Sequence, residues 1–217
     1  MWTVLTENID ALWSALQNTL IIAFAGFAMG LAIGTVLAVI KTNPSKGVVA
    51  RVFKTLAWAY ILVLRGTPIV VQLLIVFFAA LGPLGVDALV VAVLVFGLNS
   101  GAHCAEILRG AILGIDKGQM EAGRALGLSN FTSMRKIVLP QAYKNAVPAL
   151  GNEMIALLKA TSIAGFITVV DITRGTQLIV ARTFDVVTPY LLLALIYLVL
   201  VYILTLVIKF FEKVVFR

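Results

Sequence analysis

The chain has 217 residues, of which 61% are hydrophobic and only 12% charged, and its formal net charge is +7. A soluble domain carries about a quarter charged residues, so this composition excludes a water-soluble globule and makes lipid the solvent for much of the chain. The basic residues are spread between apolar stretches. That spread argues against nucleic acid as a partner and favours a role in membrane topology.

Five apolar stretches follow one another, each long enough to cross a bilayer, since a helix needs about 20 residues to span roughly 30 Å of hydrocarbon. We place them at about residues 16–40, 54–81, 86–111, 140–166 and 189–210, with a more polar segment at 115–139. The predicted fold is an all-α integral membrane protein with about five transmembrane helices. Residues 1–217 would form a single transmembrane domain.

The positions of the basic residues predict the orientation of the chain. Lysines and arginines lie between spans one and two, between spans three and four, and at the C-terminus (Lys41, Lys46, Arg51, Lys54; Lys117, Arg124, Arg135, Lys136; Lys209, Lys213, Arg217). The N-terminal segment carries Glu7 and Asp10 and no basic residue. Under the positive-inside rule the N-terminus lies outside and the C-terminus in the cytoplasm.

Three glycines form a stripe on span one. Gly26, Gly30 and Gly34 recur every four residues and so share one helix face. Such a stripe lets a second helix approach closely. We expect tight static packing there, with a helix that slides along its neighbour as the alternative.

Polar and charged side chains lie within spans two, three and four, where an ionised group costs about 3 kcal/mol on insertion scales and therefore needs a partner or an aqueous cavity. They suit a zwitterionic solute. We expect Glu153 to receive its α-amino group, and Arg65 or backbone N–H groups freed by Pro68 to receive its carboxylate. The remaining predicted substrate-binding residues are Thr67, Gln72, Asn99 and Lys159.

Structural alternatives exist for these residues. Arg65 and Glu153 could pair with each other, or Arg65 could satisfy carbonyls released at Pro68. Arg65 and Gln72 would share a helix face only if Pro68 merely kinks span two. Lys159 could extend to the membrane surface. Farther along span three, Glu106 and Arg109 are three residues apart and are expected to pair.

The chain has no catalytic residue set of its own. It lacks a G-x-x-x-x-G-K-[ST] phosphate-binding loop, and it has no nucleophile–base–acid set. His103 and Cys104 have no further ligand at metal-binding spacing, so no metal site is expected. We therefore expect a protein that is not itself an enzyme and binds no cofactor.

The segment between spans three and four predicts a helix–glycine–helix elbow. Asp116 and Gln119 have the spacing of a capping box at the start of a short helix that ends near Gly127. Ser129 is a second N-cap, for a helix running into Pro140. That second helix would have an apolar edge, made by Phe131, Met134 and Val138.

The same segment resembles a known signature. Glu121-Ala122-Gly123, then Gly127, then Ile137-Val138-Leu139-Pro140 is similar to the EAA motif of membrane subunits of binding-protein-dependent ATP-binding cassette importers. The departure is Gly123, where the family usually has alanine; the lost methyl group would loosen the first helix slightly. The resemblance implies that this elbow is the coupling helix that inserts into an ATPase subunit. The implied coupling residues are Glu121, Ala122, Gly123, Arg124, Gly127, Leu139 and Pro140.

Other segments resemble the branch of that family that imports polar amino acids. They are Arg65-Gly66-Thr67-Pro68, Asn99-Ser100-Gly101-Ala102, Gly118-Gln119, Leu139-Pro140-Gln141-Ala142 and Pro148 to Glu153. Ala160 departs from the branch, which often has glutamate there. The resemblance implies a type I importer permease of the bacterial cytoplasmic (inner) membrane, working by alternating access.

The resemblance also implies the partners. They are two copies of an ATPase subunit that carries the ATP and Mg, a second permease subunit (identical or closely homologous), an extracytoplasmic solute-binding protein and a polar amino acid. Two other readings remain open. One is an ATP-independent channel or secondary transporter, which gives no reason for the elbow. The other is an intramembrane enzyme or scaffold, for which no site is evident.

Overall fold

A computed structural model describes residues 8–45 and 47–215, and all regular structure in these ranges is helical. The elements are α1 (Ile9–Thr42), α2 (Val48–Gly66), α3 (Ile69–Leu84), α4 (Ala88–Leu113), α5 (Lys117–Ala125), α6 (Asn130–Ile167), α7 (Ile172–Thr183) and α8 (Val187–Val215). Four of them, α1, α4, α6 and α8, are long and apolar enough to cross a bilayer, and the bent pair of α2 and α3 is a fifth candidate if it counts as one span. The predicted all-α membrane fold is confirmed.

Helix α1 packs along most of its length against α4. The faces of Gly26, Gly30 and Gly34 are buried there, as predicted. A Cβ atom at Gly34 would stand 2.5 Å from the Cβ of Cys104, and one at Gly30 would stand 2.8 Å from the Cβ of Ser100. The two backbones are therefore in near contact, which is how helices gain dispersion energy in lipid.

Two buried clusters fill the bundle, one toward each end. The first joins α1, α3, α4 and α6 through Ile22, Leu73, Phe96 and Leu157. The second lies at the end of the bundle nearer α5, which we call the elbow end. It includes Leu108, Met134 and Val138. Met134 and Val138 thus form the predicted apolar edge, but Phe131 is 69% exposed and stands outside it. The edge faces the protein's own core.

The span predicted over 54–81 consists of two helices. Helix α2 ends at Gly66 and α3 begins at Ile69, with an angle of 105° between them. Pro68 has no N–H group and holds Thr67 in an extended conformation (φ −120°, ψ 145°), so the helix stops there. The bend is far more than a kink, and the condition under which Arg65 and Gln72 would share one helix face is not met.

The predicted boundary at 139–140 between the elbow and the fourth span falls within a continuous helix. The second arm of the elbow and span four are one helix, α6, which is α-helical at Asn130–Ser133 and Leu139–Ala160 and π-helical at Met134–Val138 between them. Pro140 lies at the start of the longer α-helical part. Because proline removes one hydrogen bond without forcing a stop when the preceding turn is rearranged, the helix continues through it.

Helix α7 lies in the link between spans four and five, where the sequence analysis placed no helix. Asp171 caps it by accepting from the N–H groups of Thr173 (2.9 Å) and Arg174 (3.2 Å). The N–H of Ile172 donates to Thr19 Oγ1 of α1 at 3.0 Å, which fixes α7 over the end of the bundle opposite the elbow. The missed signal was the cap followed by apolar or small residues at helical spacing: Ile172, Gly175, Thr176 and Ile179 are all buried.

Candidate functional site

Side-chain amides satisfy the backbone carbonyls left free where α2 ends. The carbonyl oxygen of Leu64 accepts from Gln72 Nε2 and from Asn99 Nδ2, both at 2.9 Å. Gln72 Nε2 also lies 3.1 Å from the carbonyl oxygen of Thr67, and Asn99 Nδ2 donates to Gln72 Oε1 at 3.1 Å. The structure thus brings together three residues predicted for the site, Thr67, Gln72 and Asn99.

Arg65 stands next to this network and takes no part in it. Its side chain is exposed, and within residues 8–45 and 47–215 it forms no ion pair or hydrogen bond. Within the described residues, Arg65 therefore forms neither of the two structural contacts considered for it. It is not paired with Glu153, and the Leu64 carbonyl at the break is satisfied by amides.

A cleft of about 460 Å³ opens beside Arg65. His103 and Glu106 of α4 also line it, as do Lys41 at the end of α1 and Trp58 of α2. This volume lies within the range of small-molecule sites. An intramembrane guanidinium therefore borders open space.

Glu153 lies on α6 and is half-buried. Its Oε1 accepts a hydrogen bond from Ser100 Oγ at 3.0 Å, and its charge is within Coulombic reach of Arg65. It does not line the cleft itself. Ser100 was not among the predicted site residues, although its place after Asn99 in a polar stretch of span three was the available signal.

Lys159 is exposed near the end of the α-helical part of α6. The part of the chain that the structure describes offers it no hydrogen bond or ion pair. It lies six residues beyond Glu153, nearly two helical turns away. The structure therefore does not bring Lys159 into the network around Leu64.

A second charged cluster ties α1 to α4 nearer the elbow. Glu106 pairs with Arg109 at 2.8 Å, as predicted, and with Lys41 at 2.5 Å. The contact from Lys41 was not predicted, because nothing in the sequence places the end of α1 beside the middle of α4. These three charges are largely satisfied among themselves.

The elbow has most of its predicted local structure. Asp116 caps α5 by accepting from the N–H of Gly118. The side chain of Gln119 accepts from Gln141 Nε2 at 3.2 Å and so does not complete a capping box with Asp116.

The first arm of the elbow ends at Gly127, as predicted. Gly127 has φ +80°, which glycine adopts without strain. The Leu128 N–H donates to the Gly123 carbonyl at 3.1 Å, which makes a Schellman ending.

The two arms of the elbow meet at Gly123. A Cβ atom there would lie 2.7 Å from Ser133 Oγ and 2.8 Å from Ile137 Cδ1, so the missing methyl group permits close packing of the arms. Ser133 Oγ is buried and has no hydrogen-bond partner among the described residues. Around this contact the outer face of the elbow is open: Glu121, Ala122, Arg124, Leu126 and Gly127 are exposed.

Comparisons with known proteins agree on one family. The profile described as "Binding-protein-dependent transport system inner membrane component" matches residues 47–217. The glutamine transport system permease protein GlnP of Escherichia coli (strain K12) is 37% identical over 215 residues, which covers 98% of this chain and 96% of that protein.

Solved structures agree with this result. A chain from the crystal structure of an amino acid ABC transporter with histidines has a TM-score of 0.84 and 34% identity, with 98% of each chain covered. An inward-facing conformation of the MetNI methionine ABC transporter shares the fold, with a TM-score of 0.76, 22% identity and 96% of each chain covered.

Proposed function

Because the chain belongs to the family of binding-protein-dependent transport system inner membrane components, we propose that it is the membrane subunit of an importer that carries polar amino acids by alternating access, driven by ATP. The 37% identity to a glutamine permease over nearly the whole chain and the likeness to a solved amino acid transporter support the amino acid class. ATP and Mg would bind to a separate ATPase, since this sequence contains no phosphate-binding loop.

One observation carries the binding site. Arg65, within the bent candidate span, has no ion-pair partner among the described residues, and it lies within Coulombic reach of Glu153. An uncompensated charge in a span costs about 3 kcal/mol on insertion scales. A zwitterionic amino acid would supply opposite charges to both side chains when it arrives.

The proposed roles follow from the groups that remain available. Glu153 receives the α-ammonium group, with Ser100 holding one carboxylate oxygen in place. Arg65 receives the carboxylate. Asn99 Oδ1 accepts no hydrogen bond within the described chain and can take one from the solute. Thr67, Gln72 and Lys159 would complete the binding site.

The elbow would receive the motion of the ATPase. Its exposed face combines charged Glu121 and Arg124 with Leu126, which is 82% exposed, while Gly123 packs between the two arms and Met134 packs in the core of the bundle. An open face on a buried base suits a segment that transmits force. The assembly would contain two ATPase copies, a second permease subunit and an external solute-binding protein, with this chain's N-terminus outside and its C-terminus in the cytoplasm.

The test is the neutral, nearly isosteric substitution Glu153→Gln in the complex reconstituted with its ATPase and binding protein. We expect amino acid affinity and uptake to fall at least about tenfold, the equivalent of 1.4 kcal/mol, because the ammonium group loses its counter-charge. Equilibrium binding and ATP-dependent uptake into liposomes measure this. Glu212→Gln on α8 is the matched control.

Two outcomes would contradict the proposal. Unchanged affinity in a folded Glu153→Gln protein would remove Glu153 from the binding site. Uptake that proceeds at the full rate without the ATPase would favour a channel or a secondary transporter.

A further inference from the structure

We propose that the side-chain amides of Gln72 and Asn99 form a latch that holds the 105° bend between α2 and α3 and thereby positions Arg65 relative to Glu153. The second half of this inference rests on the proposed binding roles of those two charges. The first half is a statement about the bend alone.

The break in the span leaves backbone groups that lipid does not satisfy. The last four carbonyls of a helix have no partner within it, and the hydrocarbon core offers no water. Thr67 Oγ1 donates to the carbonyl oxygen of Val63 at 2.8 Å, and the two amides donate to that of Leu64. The bend is stable in lipid because these side chains replace the missing hydrogen bonds.

The hydrogen-bonding groups of the latch are almost fully used. The NH2 group of Gln72 serves the carbonyl of Leu64 and both the carbonyl and hydroxyl of Thr67, while its Oε1 accepts from Asn99. Each amide NH2 has two hydrogens, and those of Asn99 go to Leu64 and Gln72. An apolar side chain at either position would leave Leu64 with one donor and the other amide short of a partner.

The latch also fixes the geometry of the charges. Arg65 directly follows Leu64, whose carbonyl is held from α4 by Asn99. The next residue of α4, Ser100, holds Glu153 of α6. One turn of α4 therefore sets the place of both charged residues. Gln72 and Asn99 therefore position Arg65, in addition to the contacts with the solute proposed for them above.

The bend can be measured without any transport assay. Spin labels on cysteines introduced at Phe53 and Phe78, both exposed, would report the distance between the arms, while native Cys104 is buried and poorly reactive. An unbroken helix would place these positions roughly 38 Å apart, and the 105° bend brings them much closer. We expect Asn99→Leu and the milder Gln72→Met to lengthen and broaden this distance in nanodiscs.

Asn145→Leu is the matched control, because Asn145 is an exposed amide on α6 that makes no side-chain hydrogen bond within the described residues. It should leave the distance unchanged. A wild-type distance distribution in both Asn99→Leu and Gln72→Met would overturn the latch. Using two variants keeps the test decisive if one of them fails to fold.

The positioning role is tested by kinetics in the complete complex. We expect Gln72→Met to raise the KM for the amino acid about tenfold while the maximal rate changes less, because Arg65 is displaced but still present. A longer distance with an unchanged KM would overturn the positioning half. If Glu153→Gln leaves affinity unchanged while the latch variants open the bend, the proposed binding site fails and the latch stands.

Discussion

Two helix pairs in this molecule are stabilised in lipid in opposite ways. Helices α1 and α4 are both unbroken and meet through small residues, so that their backbones nearly touch at Gly34 and Cys104. Helices α2 and α3 form one broken span, whose polar groups are satisfied by Thr67, Gln72 and Asn99. The first pair meets mainly through small residues, with the Lys41–Glu106 ion pair at its elbow end, while the second pair carries the charge of Arg65 and the amide of Gln72.

The difference shows that close packing and the candidate binding site belong to different helix pairs of this bundle. Without a hydrophobic drive between helices, close packing of small residues supplies the attraction, and the α1–α4 pair has the longest such contact. Polar breaks cost free energy in hydrocarbon and persist where they line a cavity. The bent pair borders the cleft beside Arg65 and carries the candidate site.

The largest expected effect comes from filling the α1–α4 contact. Gly34→Ala places a methyl group 2.5 Å from the Cβ of Cys104 and 2.8 Å from the backbone nitrogen of Ala105, neither of which can move freely. We expect a loss of about 3 kcal/mol in the free energy of unfolding, at the upper end for overpacking. Thermal denaturation in nanodiscs and the amount of protein in the membrane measure it.

The glycine stripe contains its own control. A Cβ at Gly26 would stand 3.4 Å from the nearest side chain, the Cβ of Phe96, so Gly26→Ala should cost less than about 1 kcal/mol. Gly30→Ala, with contacts near 2.8 Å, should lie between the two. Equal losses at the three positions would show that distance to α4 does not control the stability of the pair.

A smaller effect is expected from Pro68→Ala on the bent pair. Pro68 sits at φ −61°, which alanine also adopts, so the cost is mainly the greater freedom of the unfolded chain, about 0.5–1 kcal/mol. Because the latch holds the bend, the distance between labels at 53 and 78 should stay as in the wild type. A lengthened distance would mean that Pro68 alone makes the bend.

The smallest effect concerns α7, which packs against α1 at the end of the bundle opposite the elbow. Burial raises the pKa of the Asp171 carboxyl, against the opposing effect of the N–H donors of Thr173 and Arg174. A raised pKa in the folded state means that the ionised carboxyl destabilises the fold, and that this cost disappears as the pH falls toward the unfolded value of about 3.9.

Asp171→Asn removes this titration while keeping one capping oxygen. The difference in Tm between wild type and Asp171→Asn should therefore move in favour of the wild type as the pH falls from 7 to 4. Other carboxyls titrate in both proteins and cancel in the difference. A difference in Tm that does not change with pH would show that burial does not raise the pKa of the Asp171 carboxyl. Arg174 and Tyr197 lie beside this carboxyl.

The elbow was the part best predicted from sequence, because its signals are local. The caps at Asp116 and Ser129 and the left-handed glycine at 127 act within a few residues of the chain. The direction of Phe131 and the close contact at Gly123 were not predictable, since both depend on where the second arm lies.

The candidate site was predicted as a set of residue types without their partners. Polar residues within apolar spans are conspicuous in one sequence, so Arg65, Asn99 and Glu153 were identified. Their partners come from other helices: Ser100 for Glu153, and the Leu64 carbonyl for Asn99. The 105° angle of the bend was not predictable, because a proline in a helix pattern indicates a break but not its angle.

By itself, the sequence determined that this chain folds in lipid as about five spans and that one face of the first span packs closely. It also determined that an elbow lies between the third and fourth spans. Composition, periodicity and capping can be read from a single sequence, because they depend on residue types and on residues close together in the chain. Only the tertiary structure decided that Arg65 has no ion-pair partner among residues 8–45 and 47–215, while amides satisfy the backbone at the break in its span. Those pairings join residues up to 35 positions apart, and they exist only once the helices have packed.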